Sequence, residues 1–384
     1  MRGVARLRAL ATALVLRARL WSVSISCAAW VVLLTSCASE RPPASGPATS
    51  PEDARAWISQ SIPRGVPDRS GWVTDIYSGF TVQGLEPSRE NVCAVVAVIE
   101  QESNFQVNPV VPGMGAIAWR EIDSRADRAG VPRLIVHGAL GLRSSTGRTY
   151  SERIDAARTE KDLSDIYEDI IGSVPLGRRL FADWNPIRTR GPMQVNVAYA
   201  DQYAAIRPYP YPVKASVADE LFTRRGSVYF GIAHLLAYQP PYDEYLYRFA
   251  DFNAGQYASR NAAFQNAVSK ASGIPLATDG ALLSHESHAK GPGDTEQALR
   301  ALEMRLNLDS SEIREALEQG KTRDFERTKL YERVFALAER VAKRPLPRAL
   351  VPSIKLHGPK ISRSLTTSWY AHRVNGRFAR CLGK

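Results

Sequence analysis

Apolar positions in this chain recur mainly at intervals of three and four residues, the spacing of helices that lay one face on a core. Ser50-Pro51-Glu52-Asp53 reads as a helix start, with a capping serine, proline at the first helical position and acids in the first turn. Ala54, Trp57 and Ile58 continue it as a short stripe. From Arg89 to Ser103 the pattern changes. Val92, Ala94, Val95, Val96, Ala97, Val98 and Ile99 leave almost no polar face, which predicts a central helix buried on nearly all sides. Thr159 and Asp162 have the spacing of a capping box. Behind them Leu163, Ile166, Tyr167, Ile170 and Ile171 follow at helical intervals up to a stop at Gly172. Similar patterns predict helices near 195–206, 226–239, 242–251, 257–271, 294–305, 310–319 and 325–343. Strand-like alternation is scarce. Asn375-Gly376 between Trp369-Tyr370 and Phe378 predicts a β-hairpin within Thr366 to Leu382. The pattern as a whole is mainly α, with a terminal β-hairpin.

Charge changes the picture at both ends. The 384 residues carry 50 Lys and Arg against 39 Asp and Glu, a formal charge of +11. The first 36 residues hold five arginines and no acid, and the stretch from Arg340 to Lys384 holds eleven Lys and Arg and no acid. The long middle is therefore mildly acidic, and the basic character belongs to a tail rather than to the whole protein. Arg2, Arg6, Arg8, Arg17 and Arg19 precede an uncharged run, Leu20 to Ser36, as in an export signal. At 17 residues that run is also near the lower limit for a bilayer span, so a plain anchor is the alternative. Its end favours export: Leu34-Thr35-Ser36-Cys37 resembles the bacterial lipobox. That resemblance implies a signal peptide over 1–36 and a lipid on Cys37 as the mature N-terminus. Ala38 in place of aspartate implies the outer membrane, with the protein facing the periplasm. Residues 37–51, dominated by Pro, Ser and Ala, read as a flexible tether that could reach ~40 Å from the lipid at roughly 3.1 Å per residue. Four cysteines are too few for a disulfide scaffold. Cys93 reads as a buried free thiol, although an oxidising envelope would permit a bond to Cys381.

Three short segments carry candidate chemistry: Glu102-Ser103 at the end of the apolar helix, Gly191-Pro192-Met193-Gln194, and Phe252-Asn253-Ala254-Gly255 followed by Arg260. Singly each is weak. In this order, with helices between them, they resemble the lysozyme-like lytic transglycosylases of glycoside hydrolase family 23, which include the goose-type lysozymes. That family's pattern is Glu-Ser, then Gly-Leu-Met-Gln, then Tyr-Asn-Ala-Gly. The helix Ser227 to Gln239 also resembles the family's helix before the last motif, and the likeness covers about Arg89 to Phe264. Pro192 stands where leucine is usual and Phe252 where tyrosine is usual. The 78 residues between Pro109 and Arg188 replace a short loop and are too many to lack structure of their own. The whole chain also looks like an uncharacterised family of bacterial lipoproteins. The organisation expected is a lysozyme-like catalytic domain over 52–283 with an insertion at about 110–187, then a helical, basic extension over 284–384.

A carboxyl at the end of an apolar helix, facing a groove, is desolvated and stays protonated near neutral pH, as a general acid must. Glu102 has that place; Glu100, two residues earlier, points roughly 200° round the helix and cannot share it. The resemblance implies cleavage between N-acetylmuramic acid and N-acetylglucosamine. One glutamate serves as acid and then base, and the substrate's 6-hydroxyl closes a 1,6-anhydro product. It also implies substrate-binding roles for Ser103, Met193, Gln194 and Asn253, no metal and no organic cofactor. Asp183, eight residues before Gly191, is the candidate second carboxylate for a hydrolytic, muramidase outcome, and otherwise reads as a surface or capping aspartate. Ser103 also reads as a helix cap, Met193 as core and Asn253 as a cap. His285-Glu286-Ser287-His288 has the wrong spacing for a zinc peptidase and reads as a solvated loop, and His234 reads as packed. The basic tail meets no nucleic acid in an exported protein. Anionic glycan, peptide carboxylates or lipid phosphates remain as partners, beside the reading of a solvated closing element. A non-catalytic glycan-binding lipoprotein on a degenerate fold is the alternative from another class.

Overall fold

The computed structural model describes residues 50–176, 179, 185–283, 291–356 and 364–383. Cys37, the export signal, nearly all of the tether, Asp183 and the His285–His288 cluster lie outside the described residues. Among the described residues no helix is long and apolar enough to cross a membrane.

The chain is mainly helical, and its helices form three packed groups. The first holds α1 (Pro51–Ser61), α2 (Arg69–Gln83) and α3 (Arg89–Glu102), joined later by α10 (Arg224–Leu236) and α11 (Tyr245–Ala254). Ser50 caps α1 by accepting from the amide of Asp53, with Pro51 at the first position, as the sequence predicts. Val92 through Ile99 of α3 are all buried, so this helix runs through the middle of the core. The pattern does not predict α2, because its apolar residues follow no clean stripe and two glycines interrupt it. Gly79 explains one interruption: a Cβ there would lie 2.7 Å from Cδ1 of Ile232, so glycine lets α2 and α10 approach closely.

The described residues of the insertion form four helices: α4 (Met114–Arg128), α5 (Arg133–Leu140), α6 (Tyr150–Ala156) and α7 (Glu160–Ser173). Met114, Ala118, Tyr150, Ile154, Ala157 and Ile166 give it a small core of its own. The Thr159–Asp162 capping box forms as read, and α7 runs one residue beyond the expected glycine stop. A two-stranded hairpin follows, β1 (Thr189–Arg190) with β2 (Val195–Asn196), then α8 (Val197–Ile206) and the short α9 (Val217–Glu220).

The third group contains α12 (Ala258–Ser272), α13 (Asp294–Arg300), α14 (Glu303–Leu306), α15 (Ser310–Glu318) and α16 (Lys329–Ala342). Its core is built on Phe264, Leu299, Ile313, Phe325, Val334 and Phe335. Arg260 ties it to α12. The guanidinium is fully buried, donates to the carbonyls of Gly320 (2.6 Å) and Thr322 (2.8 Å), and lies over the ring of Tyr257.

The end of the chain corrects two expectations. A small terminal hairpin exists, but it pairs β3 (Lys355–Leu356) with β4 (Leu365–Thr366), and Thr367 to Leu382 is a helix, α17. Thr367, Tyr370, Ala371, Val374 and Cys381 are its buried face. Burying that helical stripe against the first core outweighs the local turn preference of Asn375-Gly376. Cys93 is not a free thiol. It forms a disulfide with Cys381, 288 residues away, and so fastens α17 to α3. The basic tail is therefore closed onto the domain, and Arg377 and Arg380 both pair with Glu100, at 3.3 and 3.6 Å.

Candidate functional site

Glu102 ends α3, half-buried, and Ser103 caps the helix. The Ser103 hydroxyl donates to the carbonyl of Ile99 at 3.1 Å and is buried. Its hydrogen atom is used on its own helix, the common fate of a serine at a helix end and the capping role the sequence also suggested. Glu100 faces away from Glu102, toward the arginines of α17, as the helical angle requires.

The residue that meets Glu102 comes from the other end of the chain. Tyr370, on the buried face of α17 and 5% exposed, lies near enough for the Glu102 carboxylate to act on its phenol, but its buried hydroxyl has no hydrogen-bond partner. Burial, and after it the neighbouring carboxylate, hold this phenol far above its usual range, so it is neutral. One turn earlier on the same helix, Thr367 donates to Oδ1 of Asn253 at 2.8 Å. Thr367 of α17 thus ties the third sequence segment to the end of the chain.

Asn253 is exposed at the end of α11. Its amide oxygen accepts from Thr367, which leaves the donor capacity of the amide on its nitrogen. The turn that follows is fixed by Asp251, fully buried, which accepts from Tyr238 (2.8 Å), from Tyr242, and from the backbone amides of Ser259 (2.6 Å) and Tyr257 (3.2 Å). Burial raises its carboxyl pKa, opposed by these hydrogen bonds. Sequence reasoning missed Asp251, Thr367 and Tyr370. Only Asp251 carried a signal, an acid within an otherwise apolar stretch before Asn253; the other two are ordinary polar positions until the fold brings them here.

The second segment forms the loop of the β1–β2 hairpin. Gly191 has φ +71, and a Cβ there would lie 1.8 Å from the carbonyl oxygen of Leu221. The amide of Gln194 closes the loop onto the carbonyl of Gly191 at 2.9 Å, and that of Met193 donates to the hydroxyl of Ser227. Met193 is fully buried against Gly231, which corrects its reading as a groove-lining residue: α10 needs a large side chain over its glycine. The Gln194 side chain accepts from Thr189 and donates to Glu160 of α7, both at 2.9 Å. It is engaged with the insertion. Gly191→Ala combines a left-handed backbone with a backbone clash, and it should lower stability by about 3 kcal/mol in urea unfolding. Wild-type stability in that variant would mean the loop has another conformation.

His234 lies between the rings of Tyr199 and Phe252, with centroids 4.4 and 4.9 Å away. Burial lowers its pKa from 6.5 to about 4, so it is neutral and packed, as the sequence suggested. Because the folded value lies below the unfolded one, the unfolded chain takes up this proton first as pH falls. Stability from this group is intact above pH 6.5 and is lost toward pH 4, by about 3 kcal/mol in all. Denaturant unfolding at pH 7 and pH 4 should show that slope, reduced in His234→Gln. An identical slope in the variant would refute the assignment.

Two cavities stand out, and neither is lined by Glu102, Gln194 or Asn253. One, of about 380 Å³, lies beside Glu100, Arg377 and Cys381; the other, of about 540 Å³, lies in the insertion between Val110–Trp119 and Asp155–Arg158. No group of three or more His, Cys, Asp or Glu among the described residues is placed to hold a metal ion.

Comparison with known proteins bears on descent rather than chemistry. No solved structure matches the chain. A protein of Escherichia coli strain K12, described as "Uncharacterized protein YaiW", is 49% identical over 352 residues, covering 92% of this chain and 96% of that one. Residues 65–384 match the family described as "Protein of unknown function (DUF1615)", a span that holds the three segments and every described helix except α1, and the chain belongs to this family.

Proposed function

We propose that this chain is an exported, lipid-anchored lytic transglycosylase that cleaves the N-acetylmuramic acid–N-acetylglucosamine bond of peptidoglycan, with Glu102 as its acid and base. The observation that carries the reading is the convergence at Glu102. A carboxyl ends a helix that is apolar throughout its middle, and α17, which buries Tyr370 near that carboxyl, also bonds Asn253 of the third segment. Asn253 offers amide donors suited to an acetamido carbonyl. The export reading places the substrate within reach: a lipid on Cys37 and the tether that follows would hold the domain near the outer membrane, over the cell wall. The disulfide fits the same address, since such bonds persist in oxidising compartments.

Two other readings remain in view. Hydrolysis to a reducing end would make this a muramidase and would call on Asp183, which lies outside the described residues. A non-catalytic glycan-binding lipoprotein is favoured by one observation, that Gln194 is engaged by Glu160 of the insertion and both cavities lie elsewhere. Mass analysis of muropeptides released from purified peptidoglycan separates all three.

A further inference from the structure

The basic tail ends beside a cavity that the proposed chemistry does not use. It measures about 380 Å³ and lies between the end of α1, the Glu100 face of α3 and the last turns of α17, with Ser61, Val96, Glu100, Arg377, Arg380 and Cys381 in its wall. Arg373, Arg377 and Arg380 fall at i, i+4 and i+7 on α17, one stripe of three guanidiniums. Glu100 answers them, at 3.3 Å from Arg377 and 3.6 Å from Arg380. Three positive charges against one negative leave a surplus of two. Burial lowers the pKa of Arg377, and its neighbours Arg373 and Arg380 lower it further against the pull of Glu100. The carboxylate balances charge here without satisfying geometry. The Nε of Arg377 is buried and has no hydrogen-bond partner, so the carboxylate beside it is out of line. Arg380 donates to the carbonyl of Gly376 at 3.2 Å, and its nitrogen facing Glu100 is too far away for a hydrogen bond. The Ser61 hydroxyl is taken by the carbonyl of Trp57. A guanidinium with an orphaned donor, in the wall of a cavity and in a local excess of positive charge, is what an arriving oxyanion satisfies.

We propose that this cavity is an anion site that takes a phosphate group, held by Arg377 and Arg380. A phosphate monoester is close to a dianion at neutral pH, which matches the surplus of two charges, and guanidiniums hold phosphate oxygens in pairs. The cavity has room for the group and for part of the molecule that carries it. Cys381 joins this turn of α17 to α3 through its disulfide, so the arginines are presented from a covalently fixed helix end. Glu100 is the resident competitor that an incoming phosphate partly displaces. The site does not depend on the transglycosylase reading, because none of its lining residues belongs to the three segments. The phosphate can come from a soluble ester or from the headgroup of a membrane lipid, and the chemistry of recognition is the same for both.

The test titrates inorganic phosphate into the chain from Ser50 to Lys384, which retains all three cores, at about pH 8 and constant ionic strength. Nitrogen-15 NMR follows the guanidinium Nε–H signals, assigned with Arg377→Gln and Arg380→Gln. Wild type should show a saturable shift at both arginines. Arg380→Gln should weaken binding about fivefold, and Glu100→Gln, which removes the competing carboxylate, should tighten it by about as much. Opposite signs from the two partners of one ion pair are not expected of a contact that only holds the helix. Absence of saturation, or a shift that chloride reproduces at the same ionic strength, overturns the proposal. So does an affinity unchanged in the variants. Should one of them fold poorly, the other carries the same decision, since each has its own expected direction. Acetate should bind more weakly than phosphate; equal or tighter acetate binding makes this a carboxylate site and overturns the phosphate assignment. Vesicles of phosphatidylcholine containing phosphatidic acid separate the sources. Flotation of wild type with them, reduced in Arg380→Gln, supports the site and assigns the phosphate to a lipid. Phosphate binding without flotation supports the site and assigns it to a soluble ester.

Discussion

Purified peptidoglycan incubated with the soluble chain from Ser50 to Lys384 is expected to release muropeptides ending in 1,6-anhydro-N-acetylmuramic acid, and Glu102→Gln is expected to release none. The size of the effect follows from what the residue does. A single carboxyl that both protonates the leaving oxygen and then deprotonates the 6-hydroxyl has no substitute in the site, and general acid and base roles are each worth about 10²–10⁴-fold. Glutamine keeps the shape and the hydrogen-bonding capacity but neither gives nor takes a proton at these pH values. Loss of at least a thousandfold is therefore expected with little change in stability, because Glu102 is a half-buried helix end and not a core residue. The product mass decides between readings. An anhydro product lacks one water relative to a hydrolysed one. Reducing ends that vanish in the variant would make this a muramidase and direct attention to Asp183. If neither protein released product while wild type still sedimented with the glycan, the binding reading would replace the enzymatic one.

The second large effect concerns the disulfide. Cys93 and Cys381 close a loop of 288 residues. On the chain-entropy account, constraining so long a loop in the unfolded chain stabilises the fold by roughly 5 kcal/mol, and measured losses on removing native disulfides run about 2–5 kcal/mol. Cys93→Ala with Cys381→Ala should therefore lower the unfolding free energy by several kcal/mol, and adding reductant should bring wild type down to about the same midpoint. The loss should have a local face as well. With the bond gone, α17 is held at its last turns by Arg377 and Arg380 on Glu100, both partly solvated, so its amides should exchange earlier than those of α3. Finding two free thiols in the unreduced, denatured wild type would show that the bond is absent.

These two results bear on each other through α17. The helix that the disulfide fastens is the one that bonds Thr367 to Asn253 and buries Tyr370 near Glu102. A reduced protein that keeps its α3 core but loses activity would therefore be explained by the geometry at Glu102 rather than by global unfolding. Product release and amide exchange on the same sample would separate the two.

Much of this protein was determined by its sequence alone. Helical periodicity and caps located α1, α3, α7 and most of the later helices, because those signals are local: a serine before a proline, a threonine three residues before an aspartate, an apolar run with no polar face. The three segments and the place of Glu102 at the end of the buried helix were legible for the same reason. The tertiary structure decided what is made by residues far apart. It turned Asn375-Gly376 from a hairpin signal into the middle of a helix, since the free energy of burying Tyr370, Ala371 and Val374 is larger than a two-residue turn preference. It paired Cys93 with a cysteine 288 residues away, which no spacing rule connects. It buried Met193 beneath a helix glycine and engaged Gln194 with the insertion, outcomes set by neighbours that the motif does not contain. Above all it bonded Thr367 to Asn253 and buried Tyr370 in the neighbourhood of Glu102. A side chain's role in chemistry depends on what stands opposite it, and for these two the opposite residue is more than a hundred positions away along the chain.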